Sequence, residues 1–323
     1  MTPTSIAIGE MDSLFVTDYL NNALYQFDNS GKLIKEHLLV KELLKQPSAI
    51  TFSNNFLYII NEGKDEILQF ELKHAVTGIE HELLGGRYFE KGFYKDAIRE
   101  LNTAIELGNN SSDIHYLLGI SYYNLKDFQS SIEHLRIAVR GNPEDTEAIF
   151  QLGNAYHRIN DFNRAIESYQ RVLSISPGHL LAHYNLAEAY LKTGDLNNSE
   201  RHFKDVLQIF PDYIDAKIGL GRVLLKKNEN RQAEKIFSEI LRRNPQVRQA
   251  RYSLALVFFK QRKYQKAIKA FSKVSQKGPY YIDSLYYLGL SYKEVGEKQK
   301  ARESFKTVLR LKPNHQGAKK QLK

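Results

Sequence analysis

His179 and His183 are the two residues of this 323-residue chain whose spacing most suggests metal chemistry. Four apart on a helix, they would share one face, where two imidazoles can hold an ion. His183, however, stands in the same column of a 34-residue period as His81 and His115. That recurrence argues for packing between repeats instead. Other chemistry is missing. Gly85-Gly86 lacks the spacing of a phosphate-binding loop, and no His-Glu-x-x-His occurs. Asp and Glu are scattered without a convergent pair for acid–base work. There is no nucleophile elbow. The chain has no cysteine, which removes disulfides, cysteine-ligated zinc, iron–sulfur clusters and thiol nucleophiles. The expectation is a non-enzyme without catalytic residues, metal or cofactor.

The elements that would position any site follow from periodicity. Leu84-Gly85, Leu118-Gly119, Leu152-Gly153, Leu186-Ala187, Leu220-Gly221, Leu254-Ala255 and Leu288-Gly289 recur with that 34-residue period. A second small column runs Ala97, Ser131, Ala165, Ser199, Ala233, Ala267, Ala301. Four residues after each stands a bulky one: Leu101, Leu135, Tyr169, Phe203, Phe237, Phe271 or Phe305. Repeats from the second onward close on Pro143, Pro177, Pro211, Pro245, Pro279 and Pro313, with Asn109 in that place in the first. Apolar residues at three- and four-residue intervals give each repeat two amphipathic helices. Proline ends the second of them. One such hairpin cannot bury its apolar face, but stacked neighbours can. The pattern resembles the tetratricopeptide repeat (TPR), in seven gapless copies over residues 78–315. The resemblance implies a mostly α fold, an α-solenoid of seven helix hairpins forming a right-handed superhelix. Residues 316–323 read as the polar start of a capping helix, with Ala318 and Leu322 facing inward.

Residues 1–77 carry a different period. Strand-like runs at Ser5–Ile8, Leu14–Asp18 and Ala23–Phe27 lead to a turn at Asn29-Ser30-Gly31. The pattern returns with an offset of 43 or 44 residues at Pro47–Ile50, Leu57–Asn61 and Ile67–Phe70. Leu14–Phe27 resembles an NHL-type β-propeller blade. The expectation is a small all-β segment of two such blades, too few to close a ring and so an incomplete propeller or a cap on the solenoid.

Charge is distributed unevenly. Residues 1–77 hold 6 Lys/Arg against 10 Asp/Glu (−4), residues 78–213 hold 13 against 19 (−6), and residues 214–323 hold 27 against 8 (+19). These add to the overall +9. Such asymmetry suits an acidic partner or an anionic surface.

In the tetratricopeptide family the first helix of each pair lines a concave groove that receives a peptide, and the resemblance carries that face onto particular residues. Tyr116, Phe150, Tyr184 and Tyr252 become apolar anchors. Tyr123, His157 and Phe259 come from a second column. Asn154, Glu188 and Arg222 lie between the columns as hydrogen-bonding groups. Arg158, Lys192, Lys226 and Lys260 form a basic rim that steers an acidic or apolar–acidic ligand. Adaptors that clamp the C-terminal carboxylate of chaperones need Lys in the Tyr116 column, and none of the seven repeats has it. The primary expectation is therefore a protein–protein interaction scaffold that binds a partner peptide. The alternative is an anionic surface or nucleic acid on the convex face of repeats five to seven. Repeat six holds nine Lys/Arg and no Asp/Glu. Lys266, Lys269, Lys273 and Lys277 step along one helix face there. No aromatics interleave them, which disfavours nucleic acid. No apolar run reaches the ~18 residues of a membrane span. The start shows no secretory signal, so the expected compartment is the cytoplasm, or the periplasm if residues are missing upstream.

Overall fold

The computed structural model describes residues 3–8, 14–18, 20–27, 33–36, 44–53, 56–71, 77–274 and 278–322. The chain forms two compact units, Met1–Pro143 and Glu144–Lys323.

The first unit opens with two antiparallel sheets. β1 (Pro3–Ile8), β2 (Leu14–Asp18), β3 (Ala23–Phe27) and β4 (Leu33–Glu36) form a meander in that order. β5 (Pro47–Ser53), β6 (Phe56–Asn61) and β7 (Glu66–Glu71) form another. The echo is structural. Pro3 pairs with Asp18 and Pro47 with Asn61, and a register shift follows each proline, between Pro3 and Ser5 and between Pro47 and Ala49. Proline has no N–H to give the ladder, so it sits where the pairing slips. Asp18 and Asn61 are fully buried, and each side-chain oxygen accepts from the backbone. Asp18 Oδ1 accepts from Leu20 N at 3.2 Å and Asn21 N at 3.1 Å. Asn61 Oδ1 accepts from Lys45 N at 2.6 Å. Alternation then sends Phe15, Leu24, Ile50, Leu57 and Ile59 into one core shared by both sheets. The expectation of propeller blades is narrowed on this point. The described residues form one sheet of four strands and one of three around a common core, and two small sheets make no propeller. The Asn29–Gly31 turn lies outside the described residues.

Fifteen helices follow among the described residues. In the first unit they are α1 (Thr77–Glu90), α2 (Tyr94–Glu106), α3 (Ser112–Asn124) and α4 (Phe128–Gly141). In the second they are α5 (Thr146–Arg158), α6 (Phe162–Ile175), α7 (Leu180–Thr193), α8 (Leu196–Ile209), α9 (Ile214–Lys226), α10 (Asn230–Arg243), α11 (Arg248–Lys260), α12 (Tyr264–Phe271), α13 (Tyr281–Glu294), α14 (Lys298–Leu311) and α15 (Gln316–Leu322). They pair as antiparallel hairpins, α1 with α2 through α13 with α14. Each hairpin turns on one left-handed residue. Gly92, Lys126, Asn160, Gly194, Asn228, Arg262 and Gly296 all have φ between 57° and 92°, and they form one column of the repeat. The backbone thus demands Gly or Asn there, and Lys126 and Arg262 occupy the position against their intrinsic preference. Starts are capped in turn: Asp127, Asp161 and Asp195 accept from Ser130 N, Arg164 N and Asn198 N.

The two helices of a hairpin meet where the small residue of the first faces the bulky residue of the second. A Cβ added to Gly85, Gly119, Gly153, Gly221 or Gly289 would come within 2.5–2.7 Å of Leu101, Leu135, Tyr169, Phe237 or Phe305 respectively. Those five bulky side chains are at most 2% exposed. In the second unit the core is continuous from Ala187 to Val257. The first helices of neighbouring repeats also touch there, α5 with α7, α7 with α9, α9 with α11 and α11 with α13. α15 packs against α14 with Ala318 fully buried and Leu322 half-buried.

Two substitutions test this. Gly221→Val should lower stability by about 1–3 kcal/mol, because the Phe237 ring cannot retreat through a filled core. Arg262→Gly should raise it by up to about 1 kcal/mol by relieving the left-handed residue. Urea unfolding of the intact chain reads both.

Candidate functional site

The first helices bring polar side chains of successive repeats into one row in the second unit. Asn154 Oδ1 accepts from Tyr169 Oη and from Asn185 Nδ2, both at 2.8 Å. One repeat further, Arg222 Nη1 donates to Glu188 Oε1 at 2.9 Å. Their side chains are 32% and 16% exposed, so the pair is partly shielded from water and only weakly screened. Two half-buried aromatics flank it. Tyr184 lies edge-on to Phe203 and Tyr213, and Tyr252 stacks on Tyr280 at 5.2 Å. Burial pushes the Tyr184 phenol up, helped by the nearby Glu188 and Asp215 carboxylates. Burial does the same to Tyr252, with Asp283 adding to it. Both therefore stay neutral over the physiological range. Arg158, Lys192 and Lys226 project exposed along the same helices.

Several expected site residues are spent on the fold. Phe150 is 5% exposed, packed against Tyr169 and His179, so it is core and not an anchor. Tyr123, His157 and Phe259 lie edge-on to Phe128, Phe162 and Tyr264, each five residues on, at 5.2–5.7 Å. This column staples the hairpin turn. Burial lowers the basicity of His157, against the opposing pull of Glu188, and its Nε2 is buried without a hydrogen-bond partner among the described residues. Lys260 Nζ donates to Leu225 O at 3.1 Å and Asn228 Oδ1 at 3.2 Å, which ties it to the end of α9 and takes it off the steering rim. Tyr116 is half-buried on α3 of the first unit.

The basic stripe is also shorter than its spacing implied. α12 stops at Phe271, so Lys266 and Lys269 share the helix while Lys273 lies in the turn beyond it. Arg251 Nη1 donates to the Lys273 carbonyl at 3.1 Å there. Lys266, Lys269 and Lys273 are exposed, and Lys277 lies outside the described residues.

The histidines are arranged differently from the expectation. His179 and His183 do not form a pair. His179 caps α7, its Nδ1 accepting from Ala182 N at 3.1 Å. His183 faces the second helix of its own repeat, not the next repeat. Its Nδ1 lies 2.9 Å from His202 Nδ1, and Asp205 Oδ2 lies 3.5 Å from the first and 3.3 Å from the second. His115 and His134 make the same contact two repeats earlier, at 2.8 Å. His81 meets Glu100 at 2.7 Å in the first repeat. Burial works against ionisation of Glu100, but hydrogen bonds from His81 and Arg99 outweigh it and hold the carboxyl below its usual range. His202 and Asp205 were missed in the sequence. The signal was a 19-residue offset shared by His115/His134 and His183/His202.

Comparison with known proteins agrees with this architecture. Tetratricopeptide repeat models match residues 85–126 and 153–194, residues 180–213 and 282–315, and residues 218–282. Together they span more than half of the chain, which belongs to the tetratricopeptide repeat family. Among solved structures, a tetratricopeptide repeat protein from Parabacteroides merdae is similar over 76% of this chain and 97% of its own, with 18% identity and a TM-score of 0.62. PilW, a widely conserved type IV pilus biogenesis factor, is similar over 66% of this chain and 98% of its own, with 20% identity and a TM-score of 0.58. The C-terminal part of a repeat protein from Cytophaga hutchinsonii is similar over 74% and 98%, with 18% identity and a TM-score of 0.57. At such identities the likeness concerns the fold alone. No curated protein matches the chain. No helix among the described residues is long and apolar enough to cross a membrane.

The histidine pairs generate a pH prediction. Burial lowers the pKa of His115. Burial lowers that of His134 too, aided by His115 and opposed by Glu133. The fold therefore keeps both neutral, while the unfolded chain takes up protons below about pH 6.5. Their stabilising contribution is complete above that pH and is lost as pH falls toward the lowered folded values. The thermal midpoint should drop between pH 7 and pH 5, and His134→Gln should flatten that drop.

Proposed function

We propose that the protein is a non-enzymatic scaffold whose first-helix face, from α5 to α11, binds an acidic or apolar–acidic peptide of a partner protein. A tetratricopeptide array is in general a surface for protein–protein contact. The observation that carries the more specific reading is the row Asn154, Asn185, Glu188 and Arg222, flanked by half-buried Tyr184 and Tyr252. Polar groups of a plain solenoid wall would point singly into water. Here they are linked in two pairs, Asn154 with Asn185 and Glu188 with Arg222, each across neighbouring repeats, which holds them in fixed positions before a ligand arrives and reduces the ordering cost of binding. A guanidinium carries five N–H donors, so Arg222 can serve Glu188 and a ligand carboxylate together. Tyr184 and Tyr252 offer rigid apolar faces with a hydroxyl at the end, the chemistry of interface hot spots. Lys192 and Lys226 add long-range attraction without being needed for the fold.

The alternative, an anionic surface or nucleic acid on the second-helix face of repeats five to seven, rests on the exposed Lys266, Lys269 and Lys273. The end of α12 at Phe271 breaks the stripe.

An array of Asp/Glu-rich peptides with interspersed apolar residues separates the two. Wild-type protein should bind a subset, and Lys192→Glu/Lys226→Glu should weaken that binding 10-fold or more while circular dichroism stays unchanged. Equal binding by a folded double variant would falsify the groove assignment. Affinity that instead follows Lys266→Glu/Lys269→Glu, on RNA or anionic vesicles with a steep salt dependence, would favour the second face.

A further inference from the structure

The fourth repeat holds a group that the peptide-binding reading does not use. His183 on α7 and His202 and Asp205 on α8 bring two imidazole nitrogens and one carboxylate oxygen together. The three atoms stand 2.9, 3.3 and 3.5 Å from one another. Ligand atoms around a tetrahedral zinc stand ~3.3 Å apart, and a triangle of these sides leaves a common point ~2.0–2.1 Å from each corner, the length of zinc–imidazole and zinc–carboxylate bonds. We propose that His183, His202 and Asp205 form a binding site for a divalent transition ion of the zinc class, with the fourth position open to water.

The surroundings suit the role. His183 Nε2 lies 2.9 Å from the Pro177 carbonyl, so it carries the proton and donates it there. Nδ1 is then a lone pair facing the cluster, and the backbone hydrogen bond fixes the ring as outer partners fix metal-bound imidazoles. His202 is stacked flat on Tyr190, with planes 4° apart, so its ring direction is set as well. The side chains of His183 and His202 are 12% and 8% exposed, whereas that of Asp205 is 35% exposed and leaves a way in. One group opposes binding. Arg201 Nη2 lies 3.1 Å from His202 Nε2 and donates to it, which puts the His202 proton on Nδ1. An ion takes that position, the proton moves to Nε2, and the exposed Arg201 side chain turns into solvent. No net proton is exchanged, and the Asp205 carboxylate offsets half of the ionic charge.

The second repeat is a built-in contrast. His115 and His134 reproduce the nitrogen pair, but Ile137 stands where Asp205 stands in the fourth. Two nitrogens without a carboxylate make a hydrogen-bonded pair, not a three-ligand site. An ion in the fourth repeat would join α7 to α8 across one hairpin, outside the row that runs along the first helices.

Titration calorimetry of the full chain with zinc alone tests the proposal. One equivalent should bind with micromolar or tighter affinity, and the thermal midpoint should rise with zinc. Asp205→Asn, at a half-exposed position that leaves the fold intact by circular dichroism, should weaken binding at least 10-fold and remove the zinc-dependent rise. His134→Gln should keep wild-type affinity. Absence of saturable binding, equal affinity in a folded Asp205→Asn variant, or loss of binding in His134→Gln would each overturn the assignment.

Discussion

The helical array rests on one contact, in which a glycine or alanine of each first helix faces an aromatic or leucine side chain of the second. Gly153 against Tyr169, Gly221 against Phe237 and Gly289 against Phe305 leave no room for a methyl group. That contact sets the distance between the two helices of a hairpin. The left-handed residue at the turn sets their direction, and the proline in the loop after the second helix separates one hairpin from the next. Three local constraints, all renewed in repeats two to seven, thus give these hairpins the same interior. Because a solenoid unit touches only its neighbours, its stability adds along the chain, and no single repeat needs a core of its own.

The same constraints explain what was legible in the sequence. The small, bulky and proline columns are written at fixed intervals, so the helices and their pairing could be read directly. So could the echo in the β segment, where Asp18 and Asn61 take the same place opposite Pro3 and Pro47. How the two sheets assemble lay beyond the local pattern, since strand alternation fixes which side is apolar but not how many sheets gather around a centre. The groove was read only in part, for a physical reason. An aromatic at a first-helix position has the same sequence signature whether it faces a ligand, as the half-buried Tyr184 can, or the next helix, as Phe150 does. Which occurs depends on the neighbour: His179 and Tyr169 close over Phe150, and Tyr264 takes the ring of Phe259. Lys260 likewise has the exposure pattern of a steering cation, yet it caps the carbonyl end of the preceding first helix.

A repeat array also frees positions that the contact does not use. One position on each helix of a hairpin recurs at a 19-residue offset, and the identities of the two drift: His81 with Glu100, His115 with His134, Ile149 with Ser168, His183 with His202, Lys217 with Ile236; the first, second and fourth of these pairs are in contact. A third residue, three further along the second helix, joins them. In the fifth repeat it is Glu239, which stands 3.7 Å from Lys217. In the fourth it is Asp205. Ion pair, histidine pair and mixed polar–apolar pair therefore occupy one slot, because the small-to-bulky contact already fixes the helices on either side. Chemistry can enter such a slot while the small-to-bulky contact is kept, where three ligating side chains coincide in one repeat. A search for ligands along a single helix passes over that coincidence, since the first of its members lies on one helix and the other two on the next.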